Sequence, residues 1–282
     1  MSDSSASRLP ASAAPEGPLG VVITGGSRGL GLAMAQRFLA AGDAVVLCAR
    51  DAERLEVARA ELVTATGAGE RLHTVACDVA DPEAAERLAD FAVERLGSIH
   101  RWLNNAGTAG RHKRPLVELS AADIAETCTT NLTGSMQLCA AALRRMQAQP
   151  AAPEPRYHLF NFGFSGLGAH FSRTSIPHRV SKLGVAELSR QLRRELQASG
   201  EQGIGVHELR PGLVRTELLL ADLPEQARPI IDRLAEPPEQ VADALVPRVR
   251  GITGTGRTLQ YRSPLATLVR ALSAVPTLRR VR

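Results

Sequence analysis

Residues 24–31, with the sequence Thr-Gly-Gly-Ser-Arg-Gly-Leu-Gly, decide the fold, because they connect a buried strand to a helix. The β-branched run Val21-Val22-Ile23 precedes this loop, and an amphipathic stretch from about Leu30 to Ala41 follows it. Glycines here let the backbone turn tightly and approach a pyrophosphate, whose charge the helix N-terminus receives. Because the loop lies in the first strand-to-helix turn, we expect a dinucleotide to bind through Gly25, Ser27, Arg28, Gly29, Leu30 and Gly31.

The chain after this loop alternates short β-branched runs with amphipathic stretches. We predict further strands at residues 44–48, 73–76, 102–103, 158–162 and 205–209, and further helices at residues 52–66, from 81 onward, 120–146 and 177–197. Asp81 should cap the helix that begins with Pro82, and Ser120 with Asp123 resembles a capping box. The alternation predicts an α/β fold, with a single doubly wound, Rossmann-type parallel sheet and helices on both faces.

The two ends of the chain differ in composition from the middle. Residues 1–18 are rich in Ser, Ala and Pro, which predicts a disordered leader that lacks the apolar core of a signal peptide. Residues 19–258 are expected to form one domain. Residues 244–282 carry eight arginines and no carboxylate, and apolar residues recur at helical spacing from Leu265 to Leu272. We expect residues 259–282 to form a basic amphipathic extension that covers the substrate cleft and associates with an anionic or apolar surface such as a membrane; the alternative is a helix that caps the core of the fold.

The composition argues against several other classes of protein. Aromatic residues make up only 3% of the 282 residues, which disfavours nucleic-acid modules that stack bases on aromatic rings. No apolar run reaches the roughly 18 residues of a transmembrane helix. The four cysteines lack close pairs, which argues against a structural zinc site and against a disulfide framework. We therefore expect no metal and a reduced, cytoplasmic compartment.

The end of the second predicted strand indicates which dinucleotide binds. An NAD site places an acid there to accept the ribose 2′-hydroxyl. This chain reads Cys48-Ala49-Arg50, and the first acid is Asp51. Two guanidiniums, those of Arg28 and Arg50, favour a 2′-phosphate and therefore NADP(H). The alternative is that Arg50 is a solvated surface arginine.

Together these features resemble the short-chain dehydrogenase/reductase family over residues 20–216. The glycine loop is one matching motif; the others are Asp78-Val79, Asn104-Asn105-Ala106-Gly107, Asn131 and Pro211-Gly212. The resemblance implies that Asp78 and Val79 contact the adenine and that residues 105–107 line the cofactor ribose. It also implies cofactor contacts for Pro211, Gly212 and Thr216, with Thr216 on the nicotinamide side.

The later sequence resembles the chlorophyll b reductase subfamily. The similar stretches are residues 207–220, 236–239, 241, 245–250, 254–256 and 261–264. This resemblance implies NADPH-dependent reduction of the 7-formyl group of chlorophyll b to a hydroxymethyl group. It also implies a large apolar tetrapyrrole substrate. The wider family resemblance implies a homo-oligomer, a dimer or tetramer packed through the long helices. The C-terminal segment suits peripheral association with a photosynthetic membrane.

The resemblance fails at the catalytic tyrosine. Family members carry Tyr-x-x-x-Lys on the helix after the fifth strand, but residues 178–182 read His-Arg-Val-Ser-Lys. The i, i+4 spacing puts His178 and Lys182 on one helix face. Lys182 and Lys113 are the only lysines among the 34 Lys and Arg residues, which suggests that arginine cannot substitute at Lys182. By resemblance, Ser165 polarises the carbonyl, Lys182 holds the ribose, and Asn131 completes the catalytic set.

Proton donation is the step that this substitution affects. Carbonyl reduction requires a proton for the developing alkoxide, and imidazolium, with a reference pKa of ~6.5, can supply it. The charge of Lys182 should lower the pKa of His178. Neither tyrosine replaces the missing one from nearby in sequence. Tyr157 is predicted at the start of the fifth strand, far from its other end, and the sequence does not place Tyr261, which lies in the tail. His170 is an alternative donor, although an exposed loop histidine is the simpler interpretation.

Three hypotheses of function follow from these observations. The first is an NADPH-dependent reductase of a formyl or keto group on a large apolar pigment. The second is a general carbonyl reductase or alcohol dehydrogenase with a small substrate. The third is a catalytically silent NADP(H)-binding protein that regulates or scaffolds a partner, and His178 keeps it open.

Overall fold

A computed structural model describes residues 17–163, 174–220 and 228–262. Most of the predicted leader and residues 263–282 of the predicted extension lie outside these ranges. Ser165 and His170 also lie outside the described residues, as do the apolar positions from Leu265 to Leu272.

The described residues contain one seven-stranded sheet in the order β3-β2-β1-β4-β5-β6-β7, with every pairing parallel. The strands are β1 Gly20–Thr24, β2 Ala44–Ala49, β3 Leu72–Ala76, β4 Arg101–Asn104, β5 Tyr157–Phe162, β6 Ile204–Arg210 and β7 Thr258–Gln260. The predicted doubly wound α/β fold is therefore confirmed.

Helices cover both faces of this sheet. They are α1 Gly29–Ala40, α2 Ala52–Thr66, α3 Ala84–Leu96, α4 Ala121–Cys128, α5 Gly134–Gln147, α6 Ile176–Ala198, α7 Glu217–Leu220, α8 Arg228–Leu234 and α9 Pro238–Arg250. Side chains alternate between the faces of a strand. Val21 and Ile23 accordingly pack against α1, α2 and α9, whereas Val22 packs against α3, α5 and α6.

Several boundaries differ from the sequence predictions. Helix α3 begins at Ala84 rather than at Pro82, because the Asp81 carboxylate accepts the amide of Glu83 at 3.0 Å and forms a turn before the helix. The capping box of Ser120 and Asp123 is present as predicted. The long helix that it opens contains one π-helical turn, Thr129–Thr133, between α4 and α5.

The seventh strand was not predicted. It pairs with the end of β6 through Glu208, Leu209 and Arg210. Because it comprises Thr258–Gln260, the sheet continues beyond the predicted domain boundary at residue 258. A three-residue strand has too little periodicity for detection from the sequence.

The strand order places a crevice at the carboxyl ends of the two neighbouring strands β1 and β4. From β1 the chain adds β2 and β3 on one side, then returns to add β4 and the later strands on the other. Ligands of such sheets bind outside the carboxyl ends of the strands at this reversal. Thr24 and Asn104 end the two strands that flank it. None of the described helices has the length and apolarity needed to cross a membrane.

Candidate active site

The glycine loop forms a close-fitting turn at this crevice. Gly25 and Gly29 have φ angles of 68° and 58°, in the left-handed region that favours glycine. A Cβ atom on Gly25 would lie 2.7 Å from the Ala106 Cα, and one on Gly31 would lie 2.5 Å from the Gly25 carbonyl oxygen. Helix α1 starts within the loop at Gly29 and directs its first amides toward the crevice. The geometry therefore fits a pyrophosphate.

Asn105, the first residue after the neighbouring strand β4, holds this loop in place. Its side-chain Nδ2 donates to the carbonyl oxygens of Thr24 and Gly25, each at 2.9 Å. The amide of Ala106 donates to the Thr24 Oγ1 at 3.0 Å. The sequence resemblance implied that residues 105–107 line a ribose. In the structure, the side chain of Asn105 positions the loop itself.

The remaining loop residues have different surroundings. Leu30 is buried in the core, so only its backbone faces the crevice. Ser27 is half-buried. A Cβ atom on Gly29 would lie 2.9 Å from the methyl group of Thr216. Thr216, which follows β6, therefore lies against the glycine loop.

The end of β2 shows why no acid is available for a ribose hydroxyl. Asp51 is the N-cap of α2, and its Oδ1 accepts the Arg54 amide at 3.0 Å. Arg50 is exposed and forms no ion pair with the described residues. Arg28 and Arg54 both contact the carboxylate of Glu217. Arg54 was not predicted as a site residue from the sequence, because it lies one helical turn beyond the strand end.

The other expected cofactor residues surround the same crevice. Val79 is buried, and its carbonyl lies 2.5 Å from where a Cβ on Gly134 would stand. Asp78 is exposed and accepts the amide of Ala80. Pro211 and Gly212 follow β6, where Gly212 adopts a φ of 78°.

Thr108 is the centre of a hydrogen-bond cluster beyond β4. Its amide donates to the Asn131 Oδ1 at 2.8 Å, and its carbonyl oxygen accepts the Asn131 Nδ2 at 2.9 Å. Asn131 is fully buried in the π-helical turn and also donates to Ser181 at 3.0 Å. Asn131 is therefore placed to position the loop after β4 against α6.

His178 joins this cluster through one ring nitrogen. Its Nδ1 lies 2.7 Å from the same Thr108 carbonyl oxygen. Because a carbonyl oxygen can only accept, we assign the proton to Nδ1, and the neutral ring then carries its lone pair on Nε2. Neutral His178 is therefore a proton acceptor at Nε2, and only the imidazolium can donate from that atom.

The surroundings of His178 disfavour the imidazolium. Burial lowers the pKa of His178 to about 4, and the charges of Lys182 and Lys113 act in the same direction, while the Thr108 carbonyl opposes them. The effect of Lys182 has the sign expected from the sequence, but burial is the larger cause. Both lysines of the chain thus lie close enough to influence this ring.

Lys182 lies on the floor of the crevice. Its Nζ donates to the Phe162 carbonyl oxygen at 3.2 Å, and a Cβ on Gly107 would stand 3.1 Å from it. Burial lowers the pKa of Lys182 to about 8, so most of the ammonium remains charged at neutral pH. The structure thus brings Asn131, His178 and Lys182 together; Ser165 lies outside the described residues.

The two tyrosines lie away from this cluster. Tyr157 is buried at the start of β5, and its hydroxyl donates to the Pro150 carbonyl oxygen at 2.9 Å. Tyr261 follows β7 and packs against the core. Within the described ranges, no group of three or more His, Cys, Asp or Glu residues is arranged to hold a metal ion.

Known proteins share this sequence pattern and fold. A family model described as short chain dehydrogenase matches residues 20–226. The chlorophyll(ide) b reductase NOL, chloroplastic, of Oryza sativa subsp. japonica is 38% identical over 236 residues, covering 83% of this chain and 67% of the relative. The probable chlorophyll(ide) b reductase NYC1, chloroplastic, of Arabidopsis thaliana is 36% identical over 262 residues, covering 88% of this chain and 51% of the relative. This chain therefore spans about half the length of the second relative.

A solved structure extends the similarity to three dimensions. The crystal structure of a short chain dehydrogenase from Burkholderia cenocepacia in complex with NADP superimposes with a TM-score of 0.69 at 27% identity. The match covers 86% of this chain and 97% of that one. The names of both plant relatives say that they are chloroplastic, so they give no support to the expected cytoplasmic location.

Proposed function

Because the chain belongs to the short chain dehydrogenase family, we propose that it is an oxidoreductase that uses NADPH to reduce the 7-formyl group of chlorophyll(ide) b to a hydroxymethyl group. The observation that carries this proposal is the 38% identity to the chlorophyll(ide) b reductase NOL over 83% of the chain. When bound, the coenzyme supplies the hydride.

The choice of NADPH rests on charge at the end of β2. Arg28, Arg50 and Arg54 surround this position, and the carboxylate of Asp51 is occupied as a helix cap. Guanidiniums bind a phosphate through charge-assisted hydrogen bonds. The Burkholderia relative in complex with NADP supports the same choice.

The rim of the crevice supports a large apolar substrate. Of the ten large apolar side chains that are exposed in the described ranges, five belong to two segments beside the crevice: Leu116, Val117, Leu213, Leu218 and Leu220. The Nζ of Lys113 joins these segments by donating to the Leu219 carbonyl oxygen at 3.2 Å. Exposed apolar side chains concentrated in this way are typical of a binding surface.

The polar cluster supplies the groups that the reaction needs. We propose that Lys182 binds the cofactor ribose, that Asn131 positions the loop through Thr108, and that Ser165 polarises the formyl oxygen. His178 occupies the proton-donor position, and its imidazolium donates from Nε2 to the alkoxide. Asp78, Val79, residues 105–107, Pro211, Gly212 and Thr216 complete the proposed cofactor site.

The direct test is product formation from purified protein, NADPH and chlorophyllide b or chlorophyll b. We expect the hydroxymethyl product by chromatography, and loss of product in Lys182→Met. Arg190→Met is the matched control, because Arg190 is an exposed cation of the same helix α6 whose charge pairs with Glu187. Coenzyme binding without turnover of either pigment would contradict the proposal.

Two alternatives remain distinguishable by the same assay. Turnover of small aldehydes but not of pigment would indicate a general carbonyl reductase. A silent NADP(H)-binding protein is favoured by one observation, that Nδ1 of His178 is engaged by Thr108 and that the pKa of the ring is lowered to about 4. Gain of turnover only in His178→Tyr would identify this third function.

We also propose peripheral association with a photosynthetic membrane and a homo-oligomer packed through the long helices. Met136 on α5 and Val180 and Leu183 on α6 are exposed apolar side chains that fit such packing. Flotation with liposomes before and after truncation at Gln260 tests the membrane contact. Equal flotation of both proteins, or none before truncation, would contradict it.

A further inference from the structure

One carboxylate oxygen connects three elements at the end of β2. The Oε2 of Glu217, the first residue of α7, accepts a hydrogen bond from the Nη1 of Arg28 in the glycine loop. The Nη1 of Arg54, in the first turn of α2, lies 3.4 Å from the same oxygen. The Glu217 carboxylate therefore lies between two guanidiniums, where a bound phosphate would also lie.

Arg54 is fixed at this position by its own helix. Its amide donates to the Asp51 Oδ1 at 3.0 Å, and its Nε lies 3.4 Å from the Asp51 Oδ2. Because α2 starts three residues after β2 ends, Arg54 lies in the first helical turn beyond the strand end at which a ribose 2′ substituent is recognised. Because it contacts the same carboxylate as Arg28, Arg54 is a candidate for a phosphate contact in addition to Arg50.

We propose that Glu217 is a resident anion of the 2′-phosphate site: it pairs with Arg28 and Arg54 in the free protein and gives way to the 2′-phosphate of NADPH. Arg54 then becomes a specificity-determining residue for that coenzyme. The proposed function assigns recognition of the 2′-phosphate to arginines alone. A carboxylate that competes with the phosphate for these arginines goes beyond it.

Charge and exposure make this exchange favourable. A phosphate monoester carries up to two negative charges and three acceptor oxygens, whereas a carboxylate carries one charge and two oxygens. The side chains of Arg28, Arg54 and Glu217 are 49%, 56% and 66% exposed, so their ion pairs are weak and readily replaced. A ribose 2′-hydroxyl carries no charge and cannot replace the carboxylate.

The exchange also connects the coenzyme to the substrate rim. Helix α7 carries Leu218 and Leu220 of the rim immediately after Glu217. Release of Glu217 removes the contact of α7 with α2 and the glycine loop, and leaves the contact of Leu219 with Lys113. NADPH, but not NADH, would then change how the rim is held.

The test measures binding without any substrate. Dissociation constants of 2′,5′-ADP and 5′-ADP are measured by calorimetry for the unaltered protein, Glu217→Gln, Arg54→Met and Glu239→Gln. Glu239 is an exposed glutamate that lines the same groove as Arg28 and Glu217 and forms no ion pair with the described residues, so it is the matched control.

We expect Glu217→Gln to bind 2′,5′-ADP about two- to fivefold more tightly and Arg54→Met to bind it about tenfold more weakly. Affinity for 5′-ADP should stay unchanged in both, and Glu239→Gln should match the unaltered protein. Unchanged or weaker binding of 2′,5′-ADP to Glu217→Gln would overturn the resident-anion role, and unchanged binding to Arg54→Met would overturn the role of Arg54. Equal affinities of the unaltered protein for both nucleotides would overturn NADPH preference as well, whereas failure of pigment reduction would leave these binding results intact.

Discussion

The pH dependence of reduction follows from the protonation of His178. Burial and two nearby ammonium groups lower the pKa of this ring to about 4. Because Nδ1 donates to Thr108, only the imidazolium can donate from Nε2. The imidazolium fraction is then about one in a thousand at pH 7 and about one in ten at pH 5, so reduction should accelerate about a hundredfold between these values.

The reverse reaction should behave differently. Oxidation of the hydroxymethyl product needs a proton acceptor, and the neutral ring that supplies it is already dominant at pH 7. We therefore expect that the protonation of His178 leaves the rate of oxidation unchanged from pH 8 to pH 5. His178→Phe should abolish the acid-side rise in reduction. His178→Tyr should keep or increase activity and lose that rise, because a phenol has a reference pKa of about 10.

The assay is the initial rate of product formation in both directions, with enzyme-free blanks that correct for acid loss of NADPH. Circular dichroism at each pH establishes that the protein remains folded. A reduction rate that stays constant or falls from pH 7 to pH 5 in folded protein would refute the role of His178 as donor. An unchanged profile in His178→Phe would refute it independently.

Three further predictions concern stability and coenzyme binding. Burial lowers the pKa values of His158 and His207 to about 2 and about 3, below the unfolded-state value of about 6.5. Because the unfolded chain then binds more protons, the free energy of unfolding should fall as the pH drops below 6.5, by about 1.4 kcal/mol per pH unit for each ring. Urea midpoints at pH 7.5 and 5.5 measure this fall, and equal midpoints would contradict it. Gly25→Ala should abolish coenzyme binding, because its Cβ would meet the Ala106 Cα at 2.7 Å, whereas Gly42→Ala, also at positive φ but with open space around it, should bind normally. Arg50→Asp should lower the ratio of NADPH to NADH affinity, and an unaltered protein that binds both equally would remove the basis for that expectation.

The fold was predictable because its signals are local. Strands β1, β2, β3 and β6 contain β-branched residues, and β4 and β5 contain buried aromatic and leucine side chains, so each is a short run that the sequence marks. The glycine loop occurs at the first strand-to-helix turn. The capping box of Ser120 and Asp123 was predicted correctly from four consecutive residues. The predicted start of α3 was wrong because the Asp81 carboxylate accepts the amide of Glu83 in a turn that precedes the helix. Strand β7 depends on pairing with β6, which no local pattern indicates.

The site was predictable only where the family resemblance supplied the positions. Asn131, His178 and Lys182 were named from the family motifs; in the structure Asn131 and His178 contact Thr108, and Lys182 lies beside Gly107. The role of Thr108 could not be read from the sequence, because it acts through its backbone carbonyl. Glu217 and Arg54 were also missed, since their contact joins residues that lie 163 positions apart.

The hold of Asn105 on the glycine loop has a consequence for the order in which the chain can fold. The loop forms near the N-terminus, yet its carbonyl groups are satisfied by an amide that lies 80 and 81 positions later. During synthesis, β1, β2 and β3 leave the ribosome well before that amide exists. A nascent chain shorter than 105 residues can therefore pair these strands but cannot complete the loop. Coenzyme binding should appear only after β4 has joined β1, which makes nucleotide affinity a late marker of folding rather than an early one.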